Sequence, residues 1–349
     1  MRNSLFRSFL LLPGAATLAI FLAGCVTSST TVQSETVQSI AWLPDESGML
    51  ALIDKVYLNV DGSQTEGQNL YHVSNSGSIG NSMNATDVTP NTAPNGPYWN
   101  APIVFVSSDG STAITQFGTD IYSLGISSGN DTDIIQNTAL FGVSPDGKYA
   151  VTNQSPLNAP GIFTTYLLTT TPTTPDLPRT TVLDIISNQA LWLNKDQYAL
   201  TIYDSTGANK VVFSHVAIYN SGGGIPVTVI PNGDVSFSAG AFASGSNELF
   251  VRNFANGIDR INLTTMKRDT IVSSDSVESM DVSSDGTLLV YSSSKTTQAL
   301  TLFAVNVENG HTKMLTTGIS KPVLSPKKDM IACINSSGNI QMVPVSTPP

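Results

Sequence analysis

Val143-Ser144-Pro145-Asp146-Gly147-Lys148-Tyr149-Ala150-Val151 is the stretch on which the fold turns. An apolar residue leads into a polar turn, and a second apolar run leaves it. Proline presets the backbone at an early turn position, and Asp followed by Gly adopts the later ones at little steric cost. The same unit recurs outward along the chain as IAWLPDESGMLAL (40–52), IVFVSSDGSTAIT (103–115), ALWLNKDQYALT (190–201), AFASGSNELFV (241–251), MDVSSDGTLLVY (280–291) and PVLSPKKDMIAC (322–333). With the first stretch these make seven copies of one strand-turn-strand unit, the signature of a repeat architecture.

Aligned on the turn, Trp42, Val106, Val143, Trp192, Ala243, Val282 and Leu324 share a column, with Ile40, Val104, Phe141, Ala190, Ala241, Met280 and Pro322 two residues earlier. Alternate residues of a strand share a face. Beyond the turn, Ala113, Ala150, Ala199, Phe250, Leu289 and Ile331 form one column and Ile114, Val151, Leu200, Val251, Val290 and Ala332 the next. Consecutive apolar columns mean a strand covered on both faces. Radially arranged sheets, each sandwiched between its neighbours, require that pattern, whereas a sandwich with one wet face would alternate. LTLFAVNVENGHTKMLTTG (300–318) adds an outer strand pair around Asn-Gly. No helical period persists over three turns after residue 25. The expectation is an all-β chain: a seven-bladed β-propeller over 36–349, with six or eight blades as the other counts. The last copy is one strand short, and the segment from Thr31 to Gln38 is expected to fill that gap and close the ring.

The repeat resembles the TolB-type propeller repeat, whose mark is a strand, Ser-Pro-Asp-Gly-Lys and a second apolar strand, and VSPDGKYAV matches it best. The resemblance implies a propeller working in the cell envelope. TolB carries an α/β domain before its propeller, and the peptidases that share the repeat carry a hydrolase domain. This sequence leaves room for neither and reads as a free-standing propeller.

Residues 1–24 read as a signal peptide, with Arg2 and Arg7 ahead of an apolar run from Phe9 to Leu22. Leu22-Ala23-Gly24-Cys25 resembles the lipobox of bacterial lipoproteins, which implies lipidation at Cys25 and a membrane held through lipid, not crossed. Several acyl chains anchor stably where one is marginal. Residues 25–35 are a polar tether, and Val26 after the cysteine implies the outer membrane in a Gram-negative organism. Cys333, the only other cysteine, has no disulfide partner once Cys25 is lipidated. Removing Arg2 and Arg7 takes the net charge from -10 to -12, and no basic stripe appears, so nucleic acid is not an expected partner.

Local catalytic motifs fail on inspection. Gly125–Gly129 has the letters of a nucleophile elbow, but another strand follows where a helix is needed. Gly142–Lys148 has phosphate-loop spacing, but Tyr149 replaces the Ser or Thr and no helix follows. His72, His215 and His311 lie far apart, so no metal and no cofactor is expected. The turn acids are explained by turn formation. Tyr98 and Trp99, in a Pro, Gly and Asn-rich loop, are candidate recognition anchors, with Arg252 and Phe254 as second candidates. The expected function is a monomeric, non-enzymatic envelope module holding a protein, peptide or glycan partner. The alternative is a propeller enzyme, a hydrolase or lyase, whose residues converge on the central channel from several blades and leave no local motif.

Overall fold

The computed structural model describes residues 31–346 and 348, apart from 75–84, 88–103, 118–119, 127–130, 136–138, 155–163, 170–179, 185–189, 207–209, 222–223, 236–238 and 295–298. Tyr98 and Trp99 lie outside the described residues, as does Cys25.

The recurrent turn forms for a reason visible in its hydrogen bonds. Ser107, Ser144 and Ser283 each donate Oγ to the Asp two residues on, at 2.6, 2.7 and 2.7 Å. The same oxygens accept the backbone N–H five residues on, from Thr112, Tyr149 and Leu288, at 3.0, 2.9 and 3.0 Å. Gly110, Gly147 and Gly286 follow the Asp with φ of 70°, 70° and 76°, where a Cβ is strained. One serine and one aspartate thus satisfy the corner. Bonds from Ser107 and Ser111 lower the Asp109 carboxyl to about 2, and Lys328 and Ser283 hold that of Asp285 well below the usual range. A depressed pKa adds stability that is present above the unfolded value near pH 4 and is lost as pH falls through the folded one.

Each turn joins the innermost strand of a blade to its second strand. Blade 1 holds β1 (Thr31–Trp42), β2 (Gly48–Leu58), β3 (Gln64–Ser74) and β4 (Ala85–Asp87); blade 2 holds β5 (Val104–Val106), β6 (Thr112–Phe117), β7 (Asp120–Gly125) and β8 (Asp131–Ile135). Blade 3 holds β9 (Ala139–Val143), β10 (Tyr149–Gln154), β11 (Thr164–Thr169) and β12 (Thr180–Asp184); blade 4 holds β13 (Ala190–Asn194), β14 (Gln197–Thr206), β15 (Lys210–Asn220) and β16 (Thr228–Pro231). In blade 5 the inner position is shared by β17 (Gly233–Asp234) and β18 (Gly240–Ala243), both pairing β19 (Glu248–Asn253), followed by β20 (Ile258–Asn262) and β21 (Arg268–Val272). Blade 6 holds β22 (Val277–Val282), β23 (Leu288–Ser293), β24 (Thr301–Asn306) and β25 (Thr312–Thr317), and blade 7 holds β26 (Ile319–Leu324), β27 (Met330–Asn335) and β28 (Ile340–Pro344). All pairings are antiparallel, so the seven-bladed, all-β expectation holds.

Apolar side chains on both faces of every sheet fill the gaps between blades. Seven buried clusters result, one per interface, and the cluster joining Val37, Ile40 and Met49 of blade 1 to Ala332, Ile334 and Ile340 of blade 7 closes the circle. An open array of seven sheets would have six. Hydrogen bonds between blades reinforce the ring: Val104 N–H reaches Ser39 Oγ at 3.3 Å, Leu140 N–H reaches Gln116 Oε1 at 2.9 Å, and Val235 N–H reaches Thr201 Oγ1 at 2.8 Å. At the closure, Trp42 Nε1 donates to Val323 O at 3.0 Å.

Two expectations are corrected. The segment from Thr31 to Gln38 does not enter the last sheet; it belongs to β1, because β2 is long enough to pair it throughout, from Trp42 opposite Met49 to Thr31 opposite Leu58. A single backbone bond, Val37 N–H to Gly338 O at 2.8 Å, ties it to blade 7. The columns of blades 4 and 5 also slip by one. Phe242, opposite Leu249, occupies the place given to Ala243, and Tyr198, opposite Trp192, that given to Ala199. These two turns lack the Asp-Gly that marks the register in blades 2, 3 and 6.

Candidate active site

The corrected register sorts the innermost strands into two sets. Trp42, Val106, Val143, Trp192, Phe242, Val282 and Leu324 pack towards the preceding blade. The residues just before them point towards the next blade: Ala41, Phe105, Gly142, Leu191, Ala241, Asp281 and Val323. Six of these seven are apolar or glycine. Asp281 alone is ionisable.

Asp281 is half-buried, and its strand borders the central channel. Oδ2 accepts the Leu324 N–H of blade 7 at 2.8 Å, and Oδ1 accepts the Val282 N–H at 2.9 Å. Burial pushes its pKa up to about 6, and the two N–H groups only partly offset it. Holding this group ionised at neutral pH therefore costs roughly 2 to 3 kcal/mol relative to the unfolded chain. The sign is opposite to that of the turn acids: as pH rises from about 4 through 6, Asp281 subtracts stability.

One strand further, β26 bulges between Ser320 and Val323, and Lys321 sits in the bulge with φ of 48°. A lysine in left-handed backbone stores strain that the surroundings must enforce. Its N–H donates to Ser279 Oγ at 3.2 Å, and that hydroxyl shares a 2.6 Å bond with Ser292 Oγ. The exposed side chain reaches blade 1, where Nζ donates to Gln38 O at 2.8 Å. Surrounding protein lowers its pKa, against the opposing pull of Asp54. Asp54 is itself raised by burial and accepts Gln68 Nε2 at 2.8 Å. Glu278, on β22, is exposed and accepts Ser294 Oγ at 2.9 Å.

The channel is therefore two-sided. Blades 6, 7 and 1 supply Glu278, Asp281, Lys321 and Gln38. Blades 2 to 4 supply an apolar wall with a cavity of about 310 Å³, lined by Val104, Phe105, Phe141, Gly142 and Trp192 among others. Trp192 packs as the repeat column required, stacked at 6.5 Å on Tyr149 and tilted at 5.1 Å against Tyr198.

Of the sequence candidates, Tyr98 and Trp99 lie outside the described residues, and Arg252 and Phe254 have other surroundings. Arg252 is bound by an ion pair at 2.5 Å to Asp234, which is 1% exposed and also accepts Thr201 Oγ1 at 3.0 Å. Phe254 is 67% exposed in the β19–β20 turn, whose Asn256 O accepts the N–H of Val277 at the start of β22 at 3.1 Å. Asp281 and Lys321 were missed; the repeat held a signal for Asp281, a charge in a column that is apolar or glycine in the other six blades, and none for Lys321, whose counterparts include Ser39 and Ser279.

No known family profile matches the sequence, and no curated protein does. Solved structures do. An oligogalacturonate lyase in complex with manganese matches with a TM-score of 0.61 at 13% identity, over 91% of this chain and 91% of that one. An oligogalacturonate lyase from Vibrio parahaemolyticus matches with a TM-score of 0.62 at 11% identity, over 92% and 98%. A chain of the mitotic checkpoint complex matches with a TM-score of 0.58 at 13% identity, over 98% and 99%. At such identities the likeness is one of fold, and it supports an all-β propeller, a coarser statement than a TolB-type lipoprotein. It also corrects the expectation of a non-enzymatic binding or scaffolding module. That expectation rested on missing local motifs and a missing hydrolase domain, and two of these structures are lyases of the same architecture over nearly their whole length.

Proposed function

We propose that this chain is a propeller enzyme, a lyase that cleaves acidic sugar chains at the blade 6, 7 and 1 side of its central channel. The observation that carries the reading is the placement of Asp281, the one ionisable residue of its column, and Lys321 on adjacent innermost strands. The two oligogalacturonate lyases of like fold support the substrate class.

In a β-elimination the Asp281 carboxylate takes the C5 proton of a uronate residue. The C5–H electrons form the C4=C5 double bond as the C4–O4 bond breaks, and the leaving oxygen takes a proton from the Lys321 ammonium. A carboxyl poised near 6 is ionised at neutral pH yet basic enough to accept a proton, and a lysine whose pKa the surrounding protein lowers gives up its proton more readily than an ordinary one. Manganese does not fit this site. His72 lies on β3, His215 on β15 and His311 in the β24–β25 turn, in three different blades. Among the described residues no three His, Cys, Asp or Glu side chains gather to hold an ion. No step here passes through a metal.

With an oligogalacturonide as substrate, the products are expected to carry unsaturated ends, seen as ultraviolet absorbance and a mass one water below the hydrolytic fragment. The rate should rise through about pH 6 as Asp281 ionises and decline on the alkaline side below the ordinary lysine value. Asp281→Asn should abolish the acidic limb along with most of the rate. Saturated fragments would mean hydrolysis, and an acidic limb surviving in Asp281→Asn would remove that residue from the chemistry.

We further propose that the protein is held in the cell envelope by lipid on Cys25. Leu22-Ala23-Gly24-Cys25 supports the anchor, and the Ser-Pro-Asp-Gly corner supports kinship with TolB-type repeats.

A further inference from the structure

We propose that the tip of blade 1 is a lipid-contacting surface that holds the propeller with one channel mouth turned towards the membrane; this rests on the lipidation of Cys25 and is independent of the lyase chemistry. The innermost strands start at one rim of the ring and run to the recurrent turns. Val37 is the first buried residue of β1 and stands at the level where β22 and β26 begin. The six residues before it, Thr31 to Thr36, are all exposed. At about 3.3 Å per residue they carry β1 roughly 20 Å beyond the rim. β2 and β3 run out with it, Thr31 opposite Leu58 and Leu58 opposite Gln64, so a three-stranded flap extends blade 1 beyond the rim.

The flap is built to hold its shape. Lys55 Nζ pairs with Glu35 at 2.9 Å and lies 4.6 Å from the centre of the Tyr71 ring. Tyr57 OH donates to Asn69 Oδ1 at 3.1 Å, and Gln64 Nε2 to Gln33 Oε1 at 2.6 Å. Its end carries three exposed apolar side chains among the polar ones of the β2–β3 turn: Val60 is 72% exposed, Val32 43% and Leu58 39%. The tether decides what this end meets. Cys25 precedes Thr31 by six residues, which span at most about 20 Å fully extended. Thr31 lies at the flap's end, so acyl chains on Cys25 bring Val32, Leu58 and Val60 to the lipid surface before any other part of the ring. Asp61 and Glu66 nearby oppose an anionic headgroup layer, so the surface that fits is zwitterionic. The recurrent turns then face away from the membrane.

The test uses the full acylated protein in phosphatidylethanolamine and phosphatidylcholine vesicles. Cys333 is buried and Cys25 is consumed by the lipid, so a polarity-sensitive thiol dye reports from an introduced cysteine. Dye on Val60→Cys is expected to shift to the blue on the vesicles and to lose half or more of its emission to brominated acyl chains. Dye on Ile225→Cys, where the native side chain is 86% exposed in blade 4, should do neither. An unquenched dye at 60, equal quenching at both positions, or an unacylated Cys25 by mass would overturn the proposal. Lyase activity on a soluble oligosaccharide is unaffected by any of these outcomes, so the two readings fail separately.

Discussion

Lys321→Met is expected to lower turnover of an oligogalacturonide by roughly a hundredfold to ten-thousandfold, the range over which a positioned proton-transfer group contributes. Methionine keeps the length and apolar stem of lysine and loses only the ammonium. The native group makes one hydrogen bond, to Gln38 O, at an exposed position, so the melting temperature should move by no more than a few degrees. A structural lysine would show the reverse pattern, a changed melting point with activity in proportion to folded protein. Lys321→Arg sharpens the distinction. It keeps the charge but titrates far higher, so any residual activity should lose the alkaline decline seen in the native enzyme.

The second large effect is one of packing. Gly142 lies where β9 passes β13 so closely that a Cβ would stand 2.4 Å from Ala190 O. No rotamer relieves a clash between Cβ and backbone, so Gly142→Val should force two innermost strands apart and disturb the apolar wall of the channel. The expected cost is about 3 kcal/mol or more, at or beyond the upper end for overpacked cores, and a fall in melting temperature of roughly 5 to 10 °C. Gly62→Ala is the control. Its φ is 82° but nothing lies within 4 Å, so only the backbone penalty of about 1 kcal/mol applies. Equal losses from both would mean that close blade contact is not what requires glycine at 142.

Much of the fold was legible because one residue pair does one physical job in copy after copy. In blades 2, 3 and 6 the serine and aspartate of the corner satisfy the same N–H groups, so their spacing marks the register there. In NKDQ of blade 4 and SGSN of blade 5 that pair is missing, and there the alignment slipped by one residue. The destination of the segment from Thr31 to Gln38 was not legible for a different reason. A polar, alternating strand carries no mark of its partner, and what decided it was the unusual length of β2. The site was harder still. Asp281, Lys321 and Gln38 sit on three innermost strands from three blades and come to one side of the channel only when the ring closes, so no spacing along the chain predicts them. Large aromatics in loops drew attention instead, because exposed aromatic anchors are read locally whereas convergence is not.

The central claim is that chemistry occurs beside Lys321 and Asp281, and the most direct test is a crystal structure of the inactive Lys321→Met protein with a bound oligogalacturonide. The expected result is a uronate residue in the channel on the side of blades 6, 7 and 1, its C5 within reach of an Asp281 carboxylate oxygen. An oligosaccharide seated on an outer blade edge, or confined to the apolar cavity of blades 2 to 4 with Asp281 untouched, would contradict it.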